Sequence, residues 1–271
     1  MWAPRRANET EVTTDLTTGL LDAAARHIAR LPARERWIVG GISQLTDMAV
    51  ALDEEVCRDI ADRYDRAPYL DLDDALTRRY EHVKKDSIVL YQELLVLGVT
   101  IEPWRGPGQP YRDSNELRRQ VNETRTLRVF LTANGHGSFA SRGFHPLCCR
   151  SGVAAEGVEL WHNDLLRAVH DLFGHVMLST GFGPKGEFKA AYCQLALSSE
   201  AARPALFTEQ VAQTCWFYFG AHLRDENGKV PRHGDRGYVS PRDRPYPEQK
   251  VFASEPADLH AFQRMFHFKE L

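Results

Sequence analysis

No run of eighteen apolar residues occurs anywhere in the 271-residue chain, so a membrane-spanning helix is not expected. Basic blocks are lacking as well. The 34 lysines and arginines are outnumbered by 37 acidic residues, and a net charge of −3 argues against nucleic acid or an anionic membrane as the main partner. Cysteine is scarce: there are five, an odd number, with Cys148 and Cys149 adjacent and none in Cys-x-x-Cys spacing. That pattern is not a secreted disulfide framework. With no apolar h-region near Met1 either, the expected setting is the reducing cytoplasm and the expected partner a small molecule. Neither a Walker-type phosphate loop nor Gly-x-Ser-x-Gly is present, which leaves ATP and a serine nucleophile without support. Gly181-Phe182-Gly183-Pro184-Lys185-Gly186 matches Gly-x-Gly-x-x-Gly, but it follows a helical pattern where a dinucleotide site would need a strand, so it reads as a plain loop.

What the chain does have is apolar content of 43%, enough for a large core. Residues 1–14 are polar without apolar period and read as a loose tail, and 15–271 read as one domain. Within it, 15–98 form a helical platform. Apolar spacing predicts helices from Asp15 to Leu31, from about Trp37 to Ala51, from Asp53 to Tyr64, and from Asp71 or Asp73 to Leu97, with Gly98 as the stop. Val99–Trp104 and Thr126–Thr132 read as strands flanking a short helix over Asn115–Asn122, and no βαβ alternation suggests a parallel sheet. The glycine-rich stretch Ala133–Glu159, with His136, Ser138, Arg142 and His145, reads as irregular. The expected class is mainly α with a few short strands.

The chemistry concentrates in residues 99–271. On a helical wheel Asn163, Asp164, Arg167, His170, Asp171, Gly174 and His175 share a sector of about 140°, while Leu165, Leu166, Val169, Leu172, Phe173 and Val176 fill the rest. A stripe of short polar groups and imidazoles suits a lined cavity better than a solvated face. Two histidines five apart stand about 140° from each other on a straight α-helix, so they converge on one ion only where the helix begins, ends or bends. Gly174 makes such a distortion cheap.

His170-Asp171-Leu172-Phe173-Gly174-His175-Val176-Met177 resembles the iron motif His-Glu-Leu-Leu-Gly-His-Val-Pro of the pterin-dependent aromatic amino acid hydroxylases. Leu127-Arg128-Val129-Phe130 is similar to that family's Phe-Arg-Val-Phe, and Cys215-Trp216-Phe217-Tyr218-Phe219-Gly220 to its Tyr-Trp-Phe-rich segment. The resemblance covers about residues 127–220. It implies a hydroxylase-like helical fold and a nonheme Fe(II) oxygenase that activates O₂ to oxidise a small, amino-acid-like substrate, with a reduced pterin as candidate cosubstrate. It also implies a carboxylate some forty residues after the second histidine as third iron ligand, a place Glu209 nearly fills, and an arginine for the substrate carboxylate, for which Arg142 is the candidate. Asp171 would orient a ligand or bound water, and Phe173, Trp216 and Phe217 would wall the site.

The residues alone leave alternatives open. Ala205–Gly220 is apolar nearly all round, so Glu209 and Gln213 need partners in a buried setting. Glu187, at the start of its own helix, is the rival third ligand. A zinc hydrolase could use the same ligands with Asp171 or Glu187 as base, and a nonenzymatic helical interaction protein would need no metal.

Overall fold

A computed structural model describes residues 15–38, 40–134 and 144–268. The expected tail 1–14 and the loop residues His136, Ser138 and Arg142 lie outside that range. Aspartates start four of the helices by accepting hydrogen bonds from first-turn amides. Asp15 begins α1 (Leu16–Arg30), Asp53 begins α3 (Glu54–Arg66), Asp73 begins α4 (Asp74–Val96) and Asp113 begins α5 (Ser114–Thr124). Just past α4, Gly98 takes φ +74°, the left-handed stop that glycine adopts without a Cβ penalty. No helix of the described residues is long and apolar enough to cross a membrane.

The fold is mainly helical with a few short strands. Three regions differ from the sequence reading. The helix expected over Trp37–Ala51 shrinks to α2 (Ile42–Asp47), because Gly41 turns the chain at φ +73°. Ala49–Val50 (β1) instead pairs with Phe266–His267 (β6) near the end of the chain. Second, β2 (Thr100–Trp104) and β3 (Thr126–Phe130) are parallel neighbours joined by α5, a small β–α–β unit that the sequence reading excluded. Alternation along β2 and β3 buries Ile101, Leu127 and Val129 on the helical side. Third, part of the expected irregular stretch is a hairpin of β4 (Arg150–Ala155) and β5 (Val158–Trp161). Its two turn residues, Glu156 and Gly157, have φ +47° and +76°, as a two-residue turn matched to strand twist requires.

Beyond the hairpin come α6 (His162–Val169), α7 (Pro184–Ala196), α8 (Arg203–Phe207), α9 (Gln213–Phe219) and α10 (Pro256–Gln263). Their buried faces join the platform helices in one apolar cluster that runs from Leu16 to Phe266. Arg203 is buried within it. Its guanidinium donates to the carbonyls of Leu195 and Ser198 at the end of α7, and to Glu35, and lies over the Trp37 ring. A cation at a helix C-terminus suits the dipole, so Arg203 is cementing material for the scaffold.

Candidate metal centre

The helix that begins at α6 continues past Val169 as a π-turn over His170–Val176. Amides there reach back five residues: Met177 N–H donates to Leu172 O at 2.8 Å, and Thr180 N–H to His175 O at 3.2 Å. A π-turn winds more slowly than an α-helix, which brings residues five apart nearer to one face and reduces the angular mismatch of an α-helical His-x-x-x-x-His pair. The imidazoles of His170 and His175 accordingly stand edge to face with centroids 4.9 Å apart.

Gly174 serves this arrangement by closeness. A Cβ on it would lie 2.5 Å from Ala190 Cβ and 2.9 Å from Ala190 Cα, so only glycine lets α7 press against the π-turn. One turn before Ala190, α7 carries Glu187. Gly186 allows the preceding loop to fold back, since a Cβ there would run into Gly181 O at 1.8 Å. Glu187 Oε2 is thereby brought 3.4 Å from His170 Nε2 and 3.6 Å from His175 Nε2.

His170, His175 and Glu187 each offer one ligand atom, and the three atoms lie within 4.8 Å of one another. Donor atoms around a divalent ion with bonds of about 2.1 Å stand about 3.0–3.4 Å apart, so small shifts would close this group on an ion. Thr180 adds to the fit. Its hydroxyl donates to Gly174 O and faces His175 Nδ1 at 3.0 Å. In the tautomer with Nδ1–H donating to Thr180 Oγ1, the Nε2 lone pair of His175 faces Glu187 and the shared space. His170 Nδ1 is buried without a well-formed hydrogen bond, and Gln194 is the uncharged polar side chain that acts on it.

Charge is finely set in this group. Burial would raise the Glu187 carboxyl, but His175 and His170 outweigh it and hold the group well below the usual carboxylate range. Burial would lower His170, yet Glu187, Asp171 and Gln194 raise it above the ordinary imidazole value. Asp171 is raised by burial, which His175 and His170 only partly offset. Among the described residues Asp171 makes no hydrogen bond or ion pair, and its carboxyl faces a cavity.

That cavity, about 770 Å³, opens beside the three ligand atoms. Phe130, Phe182, Phe217, Tyr218 and Tyr246 give it aromatic walls, and Arg167 reaches it one helical turn before His170 and Asp171. Arg167 Nη1 donates to Phe130 O at 3.0 Å, which ties the helix to β3. The expected walls divide. Phe217 lines the cavity; Phe173 is buried in the core, and Trp216 faces away to stack on His222 at 4.0 Å and donate to Asp65.

Glu209 also lines the cavity, but it is not in the three-residue group. It sits in a second π-turn, Thr208–Ala212, between α8 and α9. Its Oε1 accepts from Tyr80 Oη at 2.5 Å and lies 3.2 Å from His145 Nε2. Glu187, the rival carboxylate, is thus the one that stands with the two histidines, while the Glu209 carboxylate meets Tyr80 and His145. Tyr80 and Thr180 went unnoticed in the sequence. Thr180 could have been found, since it lies five residues after His175 and a π-turn makes that the next neighbour. Tyr80 sits on the apolar face of α4 and gave no signal. No family model, no curated protein and no solved structure matches this chain.

Proposed function

We propose that this chain is a nonheme Fe(II)-dependent oxygenase, similar in chemistry to the pterin-dependent aromatic amino acid hydroxylases, with His170, His175 and Glu187 holding the iron. The convergence of two imidazoles and one carboxylate at the edge of an aromatic-lined cavity carries this reading. A ferrous ion held on one face by that donor set would bind and activate O₂, with the reducing electrons coming from a cosubstrate such as a reduced pterin.

The chain's own groups have distinct tasks. Thr180 holds His175 in the tautomer whose Nε2 is free to bind metal. Glu187 offsets positive charge on one face, and Asp171, facing the cavity, accepts a hydrogen bond from water or substrate there. Phe182 packs its ring edge to face against His175 with centroids 4.9 Å apart and shields the pair from bulk water. Phe217 and Tyr218 form the facing wall, and Tyr218 fastens it by donating to Phe182 O at 2.7 Å. Such walls suit a small substrate with an apolar or aromatic part, and Arg167 suits an anionic end.

The third ligand departs from the hydroxylase pattern. Glu187 follows His175 by only twelve residues, whereas the family's carboxylate comes some forty later. The resemblance thus supports the histidine pair and the oxidative chemistry but not the origin of the carboxylate. The test is O₂ uptake by anaerobically Fe(II)-loaded protein with aromatic amino acids, each with and without a tetrahydropterin. Iron-dependent uptake that His170→Ala abolishes is the expected result. Uptake no greater than that of metal-free protein under every combination overturns the proposal.

A further inference from the structure

Behind the cavity wall lies a second polar cluster that metal binding does not use. Tyr80 comes from α4, His145 from the segment before β4 and Glu209 from the second π-turn, and the three meet in the interior. The His145 and Glu209 side chains are only 1% and 3% exposed, and Tyr80 is fully buried. Burying a carboxylate, an imidazole and a phenol together is costly, and an apolar trio would fill the space at lower cost. π-turns are themselves strained and concentrate at functional sites.

The two carboxylate oxygens differ. Oε1 accepts from Tyr80 and has His145 Nε2 beside it at 3.2 Å. Oε2 has a 3.4 Å contact from Gln213 Nε2, and Gln213 exchanges hydrogen bonds with Gln249 at the cavity edge. Other titratable groups nearby stay protonated. Burial and then the Glu209 charge push Tyr80 well above its ordinary value and Cys148 up to about 12, and the same two causes, in the same order, raise Tyr64.

We propose that Glu209 is the proton-transfer residue of the cavity, with His145 and Tyr80 as its positioning residues. This rests on the oxygenase reading in that the cavity is taken as the reaction site. The step balances without an oxidant. An O–H or N–H bond of a water or substrate molecule in the cavity breaks as Oε2–H forms on the Glu209 carboxylate, and the reverse transfer returns the proton, while Tyr80 and His145 keep Oε1 in place.

The experiment compares wild type with Glu209→Gln and Tyr80→Phe in three readouts. Bound Fe(II) after anaerobic loading is measured first. Glu209→Gln retains the wild-type iron content, and loss of iron from it would make Glu209 a ligand and overturn the proposal. Next, ascorbate-supported O₂ uptake by the iron-loaded proteins is followed in H₂O and D₂O. In Glu209→Gln it falls about 100-fold, the lower end of the range for general acid–base catalysis, and the solvent isotope effect changes. Unchanged uptake with an unchanged isotope effect overturns the proposal. Finally, infrared difference spectra between acidic and alkaline buffer are recorded on the metal-free proteins. A buried-carboxyl band present in wild type, shifted in Tyr80→Phe and absent from Glu209→Gln is expected, and a wild type without that band overturns the proposal. Wild type that takes up no iron refutes the oxygenase reading instead, and the infrared result then decides the role of Glu209 by itself.

Discussion

Replacing Gly174 by alanine tests whether the closeness of two helices creates the proposed metal centre. The new methyl carbon would stand 2.5 Å from Ala190 Cβ. Carbon atoms in contact prefer about 3.5–4.0 Å, so α7 and the π-turn must separate by about 1 Å or more. Glu187 is three residues from Ala190, about 4.5 Å along the helix axis, and a helix that shifts as a body carries it along nearly undiminished. Its distances of 3.4 and 3.6 Å to the two imidazole nitrogens would then grow by a similar amount. Metal–ligand bonds tolerate deviations of only about 0.2 Å.

Folding itself should suffer little. Overpacking costs about 1–3 kcal/mol, and alanine returns about 1 kcal/mol over glycine within a helix, leaving a net loss of at most about 2 kcal/mol. The expected outcome is a folded protein whose melting temperature is at most a few degrees lower and whose divalent metal affinity is about 10–100-fold weaker. Titration with Co(II), read by its visible absorption, alongside thermal unfolding, separates the two effects. Adding Ala190→Gly should recover part of the affinity. Wild-type Co(II) affinity in Gly174→Ala would refute the reasoning, because Glu187 would then reach the ion without the close approach.

Other outcomes follow from the same geometry. Thr180→Val leaves the His175 tautomer unfixed and should weaken metal binding about 10–100-fold, measured by competition with a chelator. In metal-free protein, His170 is raised above 6.5 and so contributes stability that is fully present below that value and lost as pH rises through its folded-state pKa. Thermal melts between about pH 6 and 8 should therefore show this contribution declining, and Glu187→Gln should flatten the trend. The metal-loaded protein should show the opposite slope there, since protons compete with the ion for imidazole. Trp216→Phe removes the hydrogen bond to Asp65, and should cost about 1 kcal/mol of stability while leaving metal affinity unchanged.

Helix starts at Asp15, Asp53 and Asp73 were the most legible feature of the chain, because an aspartate at the N-terminus makes the same local hydrogen bond whatever packs around it. The histidine pair was legible as a metal candidate, but its geometry was not. An α-helical wheel separates His170 from His175, and the π-turn that reunites them takes its register from α7 lying on Gly174, a contact absent from any local window. Spacing could not choose between Glu187 and Glu209 for a similar reason. Both carboxylates line one cavity, and what separates them is Tyr80, 129 residues before Glu209, together with His145. The hairpin after Cys149 was missed because Glu156-Gly157 lacks the asparagine or aspartate that usually announces such a turn. The parallel β2–β3 pair was missed because both strands are only five residues long.

The central claim is that His170, His175 and Glu187 hold one ferrous ion. Anaerobic reconstitution with Fe(II) and Zn(II) offered together, followed by elemental analysis of wild type, Glu187→Ala and Glu209→Ala, tests it most directly. The account predicts close to one iron per wild-type chain, a similar content in Glu209→Ala, and little in Glu187→Ala. Zinc in place of iron, iron lost from Glu209→Ala alone, or a wild-type chain that takes up neither metal would contradict it.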